Sequence, residues 1–279
     1  MTMKHTVNLG SVQETLLIPL YSRALETARP NGLLKDPRAV EIVDQLDYDF
    51  SKWRGNASWS SACVRTRLFD DIALRFLEQY PDGVIVEIGC GLNTRFERID
   101  NGWATWFDLD LPDSIDLRRA FFEDSPRRTM IAGSVFDEDW MAPVLNAGKP
   151  TLFLSEAVII YFEEPQVKQA LVQIAKQFPG AWFATDICGP KLTAPKVREK
   201  YKKLFGIKSW FKWACEDPKS IERWHPGIEL LASQTFADAS PDIVAKMPIV
   251  WRTLTRFAPF IVRHLTKDYR IAHYRLGAR

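Results

Sequence analysis

The sequence predicts an α/β fold built on one mostly parallel sheet. Between residues 81 and 187, apolar segments alternate with segments of helical character, the order typical of a parallel sheet flanked by helices. The apolar character of these segments indicates strands buried on both faces. The predicted strands are 84–89, 104–110, 129–133, 151–156 and 181–187.

The first 80 residues predict a helical cover for this sheet. Apolar residues recur at three- and four-residue spacing across residues 12–27, which indicates an amphipathic helix. A second helix is expected after Asp36 as the capping residue and Pro37 in the first turn. A third spans residues 61–80 and ends at the sequence Pro-Asp-Gly.

The remaining segments complete a single predicted domain over residues 1–279. Two helical stretches, 117–124 and 163–178, fall between strands of the sheet. The core of residues 81–187 is followed by a helical insertion at 188–224, expected to cap the substrate site. Residues 225–279 then supply a helix and two closing strands near 227–236 and 268–277, with the last strand antiparallel.

Composition and charge exclude several classes of protein. The chain is 46% hydrophobic and 26% charged with a formal net charge of +2, which argues against a dedicated nucleic-acid binder. The four cysteines form no metal-ligand spacing, so no metal is expected. The first residues lack a signal-peptide pattern, and no apolar run is long enough to span a membrane. We expect a soluble, cytoplasmic protein with reduced thiols.

The segment 84–100 carries the main functional signal. A strand that ends near Glu87 leads through Gly89-Cys90-Gly91 into a helix, which is the first turn of a Rossmann-like unit. Glycines at this turn allow the backbone to approach a ligand closely. Thr94 occupies the place of a third glycine, and this disfavours a nicotinamide dinucleotide.

Two aspartates follow at the end of the second predicted strand. Asp108 and Asp110 lie about 20 residues after the glycines, where a carboxylate accepts hydrogen bonds from both hydroxyls of an adenosine ribose. A turn or capping aspartate is the structural alternative. The glycine turn and these acids together favour an adenosyl ligand.

Several linked motifs resemble one known family. The segments EIGCGLNTRFERI, WFDLDLP, AGSVFDEDW and FLSEAVIIYFEEPQ occur in an order and spacing similar to the leucine carboxyl methyltransferase family. RALETARPNGLLKDPRA, VRTRLFDD and the ending DYRIAHYRLG resemble its bacterial branch, the tetracenomycin-type polyketide O-methyltransferases. The resemblance implies a class I methyltransferase that uses S-adenosylmethionine, releases S-adenosylhomocysteine, and methylates a carboxyl or hydroxyl group of a small secondary metabolite.

The resemblance also implies roles for individual residues. Arg65 matches the ligand of the cofactor carboxylate, and Glu156 matches an acid near its amino and sulfonium groups. Glu87 ends the first strand, and Gly89 and Gly91 would line the methionine portion.

The ribose and adenine positions also match the family, with two departures. Asp110 would hold the ribose, and Asp108 ranks second. Ser134 and Val135 stand where the family often has Asp-Leu, so a neutral serine would bond the adenine amine. Asn93 replaces an aspartate of the family.

The acceptor side is predicted less specifically. A carboxylic acid is already ionised at neutral pH, whereas a phenol needs a base. His225 and Tyr161 are the candidates for catalytic groups, with structural roles as the alternative. We expect the first helix and the segment 191–213 to form the wall of the acceptor site. This segment is rich in lysines and aromatic residues, which suits an aromatic and anionic acceptor. A solvated helix face and a weak membrane contact are the alternatives for it. The candidate wall residues are Tyr21, Arg23, Trp210 and Trp213.

Other functions remain open at this point. One alternative is a protein C-terminal carboxyl methyltransferase, and another is a cofactor-binding protein without turnover. A nicotinamide-dependent oxidoreductase is disfavoured by the missing third glycine. No element for holding a flipped base is present, so a nucleic-acid substrate is not expected. The sequence does not predict the oligomeric state.

Overall fold

The computed structural model describes residues 4–53 and 59–277 and is organised around a seven-stranded sheet. The strands are β1 Val84–Ile88, β2 Thr105–Asp110, β3 Arg128–Ala132, β4 Thr151–Ser155, β5 Trp182–Cys188, β6 Glu229–Gln234 and β7 Tyr269–Arg275. Their spatial order is β3-β2-β1-β4-β5-β7-β6. Strands β1 to β5 pair in parallel, and β7 is antiparallel to both β5 and β6. The predicted α/β fold is confirmed, including the antiparallel last strand.

Helices cover both faces of the sheet. They are α1 Leu17–Ala28, α2 Pro37–Gln45, α3 Trp59–Gln79, α4 Arg95–Ile99, α5 Pro112–Arg118, α6 Met141–Asn146, α7 Glu164–Gln177, α8 Pro190–Thr193, α9 Pro195–Phe205, α10 Pro241–Lys246, α11 Ile249–Phe257 and α12 Pro259–Thr266. Short 3-10 helices lie at Gln13–Leu16, Phe50–Trp53, Ile159–Tyr161, Pro218–Trp224 and Phe236–Asp238. Outside the main sheet, His5–Thr6 and Leu46–Asp47 form a short parallel pair.

Local sequence explains most of these boundaries. The Asp36 side chain accepts a hydrogen bond from the Ala39 N–H at 2.9 Å, and Pro37 occupies the first helical position, as predicted for α2. The helix predicted at 117–124 is wrong in its position, because Pro112 starts α5 earlier and the helix ends at Arg118. Phe121 and Phe122 are instead buried beyond that end.

Each face of the sheet has its own hydrophobic core. On one face, Phe69 and Ile72 of α3 pack with Leu152 and other strand residues. On the opposite face, Leu171 and Ile174 of α7 belong to the core cluster that contains alternate residues of the same strands. The alternation of strand side chains between two helical layers accounts for the apolar character of the strand segments.

The strand order places a crevice at the carboxyl ends of β1, β2 and β4. Strand β1 lies between β2 and β4, so the chain leaves β1 toward one side of the sheet and later returns to the other. Ligands of open α/β sheets bind at such a reversal point. Within the described ranges, none of the helices combines the length and apolar character that a bilayer crossing requires.

Candidate functional site

A cavity of about 780 Å³ opens above the carboxyl ends of β1, β2 and β4. This volume is within the range of small-molecule and cofactor sites. The strand ends form its floor, while the start of α1, part of α3 and the segment 192–212 form its walls. The predicted site residues that line it are Arg23, Arg65, Glu87, Gly89, Gly91, Asp110, Ser134, Val135, Glu156, Tyr161 and Trp210.

The turn after β1 requires glycine at both predicted positions. Gly89 and Gly91 have φ values of 66° and 46°, in the left-handed region that other residues rarely adopt. A Cβ atom on Gly89 would lie 2.3 Å from the Val158 Cγ2 atom, and one on Gly91 would lie 3.0 Å from the Leu16 Cβ atom. The turn therefore presents bare backbone to the cavity.

Asp110 joins this turn to the end of β2. Its Oδ2 atom accepts a hydrogen bond from the Gly91 N–H at 2.7 Å, and its Oδ1 atom accepts one from the Leu111 N–H at 2.7 Å. Burial raises the pKa of Asp110, and these backbone donors oppose that rise. A carboxylate fixed in this way at the cavity edge has lone pairs left for a ligand's hydroxyl groups.

Arg95 connects three carboxylates beneath the cavity. Its Nη1 atom lies 2.5 Å from Glu87, its Nη2 atom 2.6 Å from Glu156 and its Nε atom 2.7 Å from Asp70. Burial opposes the charge of Arg95, but the carboxylates outweigh it and raise its pKa. Burial raises the pKa of Glu87 despite the pairing with Arg95.

Glu156 occupies the end of β4 between two guanidinium groups. Burial opposes its charge, yet Arg65 and Arg95 lower its pKa to about 2. Its Oε1 atom accepts hydrogen bonds from Arg65 Nε and from the Thr66 hydroxyl, both at 2.9 Å. Glu156 is therefore an anion held at the cavity wall.

Arg65 reaches a second acidic group at the end of β5. Its Nη1 atom donates to the Tyr269 hydroxyl oxygen at 3.3 Å, and its Nε atom lies 3.9 Å from Asp186. Tyr269 in turn donates to Asp186. Among the residues that the structure describes, the Nη2 atom of Arg65 makes no hydrogen bond with the protein.

The residue after Glu156 adopts a strained backbone conformation. Ala157 has a φ of 56°, and its N–H donates to the Asp186 Oδ1 atom at 2.7 Å. The left-handed conformation is costly for a residue with a Cβ atom. The hydrogen bond to Asp186 holds this turn at the cavity wall.

Asp108 does not line the cavity. It is buried, with its Oδ2 atom 2.9 Å from Arg118 Nη2 and 2.7 Å from Arg128 Nε. Arg118 also donates to the carbonyl oxygens of Gly91 and Asn93, at 2.7 and 2.9 Å. The structure thus gives Asp108 a supporting position behind the glycine turn rather than a position facing a ligand.

The turn after β3 forms another edge of the cavity. The Ser134 N–H donates to Asp137 Oδ2 at 2.9 Å, and the Ser134 hydroxyl accepts from the Phe136 N–H at 3.3 Å. Val135 is buried, and Phe136 lines the cavity beside it. This edge combines the apolar side chains of Val135 and Phe136 with one hydroxyl group, which suits a purine ring.

Aromatic side chains dominate the opposite end of the cavity. Trp210 stacks on Tyr201 with ring centroids 4.9 Å apart and on Phe211 at 4.3 Å. All three line the cavity together with Phe162. Burial raises the pKa of Tyr161 to about 12, so Tyr161 is a neutral phenol here at physiological pH.

Arg23, which was predicted to face the acceptor, is held by other parts of the protein. Arg23 lines the cavity, but its guanidinium pairs with Asp36 at 2.8 Å and donates to the Leu92 carbonyl at 2.8 Å.

Three further candidates lie outside the lining of this cavity. Tyr21 stacks on Phe50 at 4.9 Å, and the buried Trp213 contacts Trp224 at 5.9 Å. His225 lies in a separate depression, where its Nδ1 atom accepts from the Gly227 N–H at 3.1 Å. The structure therefore does not bring Tyr21, Trp213 or His225 to this cavity.

Sequence reasoning missed three residues of the site. Arg95 is part of the quoted motif after the glycines and begins α4, and a cation placed so soon after Glu87 is a usable signal. Asp186 is the next-to-last residue of the fifth predicted strand, and its place resembles that of the acids near the ends of the other strands. Tyr269 had no local signal, because it reaches the site only through the antiparallel pairing of β7 with β5.

No metal centre accompanies this cavity in the described ranges. Residues 4–53 and 59–277 contain no cluster of His, Cys, Asp and Glu side chains that could hold a metal ion.

Comparisons with known proteins agree with this geometry. The sequence model of the leucine carboxyl methyltransferase family matches residues 17–175. The tetracenomycin polyketide synthesis O-methyltransferase TcmP of Streptomyces glaucescens is 32% identical over 248 residues, which cover 86% of this chain and 90% of that protein. A protein of Gibberella zeae named S-adenosyl-L-methionine-dependent methyltransferase dpfgK is 27% identical over 81% of this chain and 83% of its own.

A solved structure shares the fold at low sequence identity. A DUF574 family protein from Streptomyces avermitilis superposes with a TM-score of 0.60 at 13% identity, covering 94% of this chain and 97% of its own. This likeness concerns the fold alone. The family match and the 32% identity over most of both chains are more specific. The chain therefore belongs to the leucine carboxyl methyltransferase family, as its motifs predicted.

Proposed function

We propose that this protein transfers a methyl group from S-adenosylmethionine to a carboxyl or hydroxyl oxygen of a small aromatic molecule of secondary metabolism. The observation that carries the proposal is the division of one cavity into two chemically different ends. One end has the glycine turn and the charged residues at the strand ends, and the other has the Tyr201, Trp210 and Phe211 rings.

The methyl donor follows from the family and suits the site. The chain is a methyltransferase by family, and its relatives are named as S-adenosylmethionine-dependent enzymes, so S-adenosylmethionine is its cofactor. The glycine turn has no room for side chains at Gly89 and Gly91. The buried Asn93 Oδ1 atom at the cavity wall has no hydrogen-bond partner among the described residues, which leaves an acceptor for a ligand donor.

The proposed cofactor contacts use the charged groups at the strand ends. Arg65 binds the carboxylate of the methionine portion, because a guanidinium matches a carboxylate with two parallel hydrogen bonds. Glu156 attracts the cationic portion, since its low pKa keeps it ionised. Asp110 accepts hydrogen bonds from the ribose hydroxyls.

The remaining contacts complete the cofactor subsite. Ser134 and Val135 lie against the adenine ring at the edge of the cavity. Glu87 has a supporting role through its 2.5 Å pair with Arg95.

The aromatic end of the cavity supports a planar acceptor. Trp210 is held by its two stacked neighbours and by a hydrogen bond from its Nε1 atom to the Leu192 carbonyl at 3.0 Å. Stacked aromatic side chains favour planar apolar ligands. Lys212 also lines the cavity and attracts an anionic substituent. TcmP, named for polyketide O-methylation, is a relative over most of the chain.

The chemistry depends mainly on position. When bound, S-adenosylmethionine supplies an electrophilic methyl group on a positively charged sulfur. The cavity walls would orient the acceptor oxygen and exclude water, and positioning of this kind accounts for much of the acceleration in such displacements. An ionised carboxylate needs no base. A hydroxyl acceptor loses its proton to solvent water in the transfer, while Tyr161, a neutral phenol, donates a hydrogen bond that orients the oxygen.

A product assay tests the proposal. The purified protein is incubated with S-adenosylmethionine and panels of aromatic carboxylic acids, phenols and peptides with free C-terminal carboxyl groups, and products are detected by mass spectrometry. We expect methyl esters or ethers from the aromatic panel. Methylation confined to the peptides would support protein carboxyl methylation instead. Cofactor binding with no methylated product from any panel would contradict the proposed reaction.

A further inference from the structure

The helices between β6 and β7 have an unusual sequence. Helices α11 and α12 contain three arginines and no aspartate or glutamate. Large apolar residues are interspersed among these cations along both α11 and α12. A basic amphipathic helix of this composition is typical of segments that lie on a membrane surface.

The apolar residues of this segment project from the protein. The exposed fractions of Phe257, Phe260 and Val250 are 75%, 69% and 64%. We define the α11–α12 surface by its exposed large apolar residues, which are Ile249, Val250, Trp251, Phe257, Phe260, Ile261 and Leu265. A cluster of this kind on a folded protein marks a binding surface, because scattered single residues are the norm.

Helical spacing places these residues on outward faces. In α12, Phe260 and His264 are four residues apart, as are Ile261 and Leu265, so the four side chains form one exposed strip. Val262 of the same helix is buried against the protein. The buried and the exposed apolar residues therefore lie on different sides of the helix, and the exposed ones do not contribute to the core.

Basic side chains flank the apolar strip. Arg252 and Arg256 are four residues apart on α11, and both are exposed. Arg252 donates to the Ala245 carbonyl at 3.2 Å, and the Arg256 guanidinium lies 5.6 Å from the Phe257 ring. Arg263 pairs with Asp238 at 2.5 Å, which anchors α12 to the 3-10 turn Phe236–Asp238.

We propose that the α11–α12 surface docks on an anionic lipid bilayer, with its apolar side chains inserted below the headgroups and Arg252 and Arg256 at the headgroup phosphates. Charge complementarity carries the choice of partner. A second copy of this chain would bring like-charged helices together, whereas anionic headgroups attract them. The aliphatic and aromatic groups of the apolar strip match the acyl chains of lipids. They make few hydrogen bonds, whereas most interfaces with protein partners contain several.

The surface is also connected to the cavity. Phe236 lines the cavity, and its turn is held to α12 by the Asp238–Arg263 pair. Tyr269 follows α12 directly and lines the cavity as well. Docking would therefore place the cavity wall close to the bilayer, where apolar acceptors accumulate. This last step rests on the proposed function, while the docking itself does not.

Vesicle sedimentation of the full chain tests the docking. Vesicles of phosphatidylcholine alone and of phosphatidylcholine with phosphatidylglycerol are compared at low and high salt. We expect binding to the anionic vesicles that weakens with salt. The variant F257S/F260S should lose binding on the order of 100-fold, because two phenyl groups no longer leave water. The variant R252Q/R256Q should lose roughly tenfold or more on anionic vesicles.

Matched variants separate docking from general effects. W103A removes an aromatic residue that is 73% exposed outside this surface, and K168Q/K176Q removes two exposed charges of α7. Both controls should bind vesicles as the unaltered protein does. Equal binding by F257S/F260S, or no binding to anionic vesicles, would overturn the proposal. Self-association without vesicle binding, abolished by F257S/F260S, would assign the surface to a second copy instead.

Discussion

The Nη2 atom of Arg95 lies 2.6 Å from the Glu156 Oε2 atom and so links the helix after β1 to the end of β4. The same guanidinium pairs with Glu87 on β1 and Asp70 on α3. Two acids expected at the cofactor site are thus held by one buried cation. These ion pairs fix the distance between the ends of β1 and β4. The ligand is expected to lie between these two strand ends.

Removal of Arg95 should destabilise the protein strongly. R95M leaves Asp70, Glu87 and Glu156 without their shared cation in a buried environment, and breaking a buried pair in this way costs about 3–5 kcal/mol. Chemical denaturation measures the free energy of unfolding. The control is R119Q, because Arg119 is exposed and a surface change of this kind costs within about 0.5 kcal/mol. A loss below about 1 kcal/mol in R95M would contradict the account.

The two aspartates of β2 should behave differently when altered. D110A removes the proposed ribose acceptor, and loss of hydrogen bonds to a charged group predicts an affinity for S-adenosylhomocysteine lower by roughly tenfold or more. D108N should chiefly lower stability, because Asp108 pairs with Arg118 and Arg128 away from the cavity. Calorimetric titration and denaturation of both variants separate these effects. An unchanged dissociation constant in D110A would refute the ribose assignment.

His273 should make stability depend on pH. Burial lowers its pKa to about 4 from 6.5, with Arg75 and Arg275 adding to the effect. Below about pH 6.5, the imidazole of the unfolded chain therefore binds a proton that the folded chain does not bind. The contribution of neutral His273 to the free energy of unfolding is fully present above about pH 6.5 and is lost as the pH falls toward 4.

A variant isolates this contribution. A shift of this size corresponds to about 3 kcal/mol. The variant H273Q should have a flatter profile of unfolding free energy between pH 6.5 and 4 than the unaltered protein has. Denaturation across that interval measures the difference. Parallel profiles for the two proteins would show that His273 is not buried in its neutral form.

Trp210 should act on the acceptor and not on the cofactor. W210A removes the stacked face at the aromatic end of the cavity, and the lost burial and stacking predict a KM for the acceptor higher by roughly tenfold. The dissociation constant of S-adenosylhomocysteine should stay unchanged. W103A, outside the cavity, is the control for loss of an indole. A weakened cofactor with an unaltered acceptor KM would reverse the proposed assignment of the two ends.

Local sequence predicted the sheet and its strand ends well for a physical reason. Buried parallel strands need continuous apolar segments, and the glycine turn at Gly89 and Gly91 needs positive φ, so both leave strong local signals. The positions of Asp108 and Asp110 show the limit of this reasoning. The two residues lie two positions apart on the same face of one strand. Only the packed arginines reveal that Asp108 pairs with Arg118, while Asp110 at the strand end meets the cavity.

Local sequence patterns do not predict contacts between residues that are far apart in the chain. Tyr269 reaches Asp186 because β7 pairs antiparallel with β5, a register that no nearby residue encodes. His225 and Trp213 had suggestive residue types, but their burial and neighbours depend on how the segment after β5 folds back. Residue type alone therefore does not predict whether these two side chains face the acceptor.

A crystal structure of the protein soaked with S-adenosylhomocysteine tests the central claim most directly. The account predicts ribose hydroxyls within hydrogen-bond distance of Asp110, the amino-acid carboxylate on Arg65, and the purine beside Ser134 and Val135. Density for the ligand at another place on the chain, or strand ends that stay empty at saturating ligand, would contradict it.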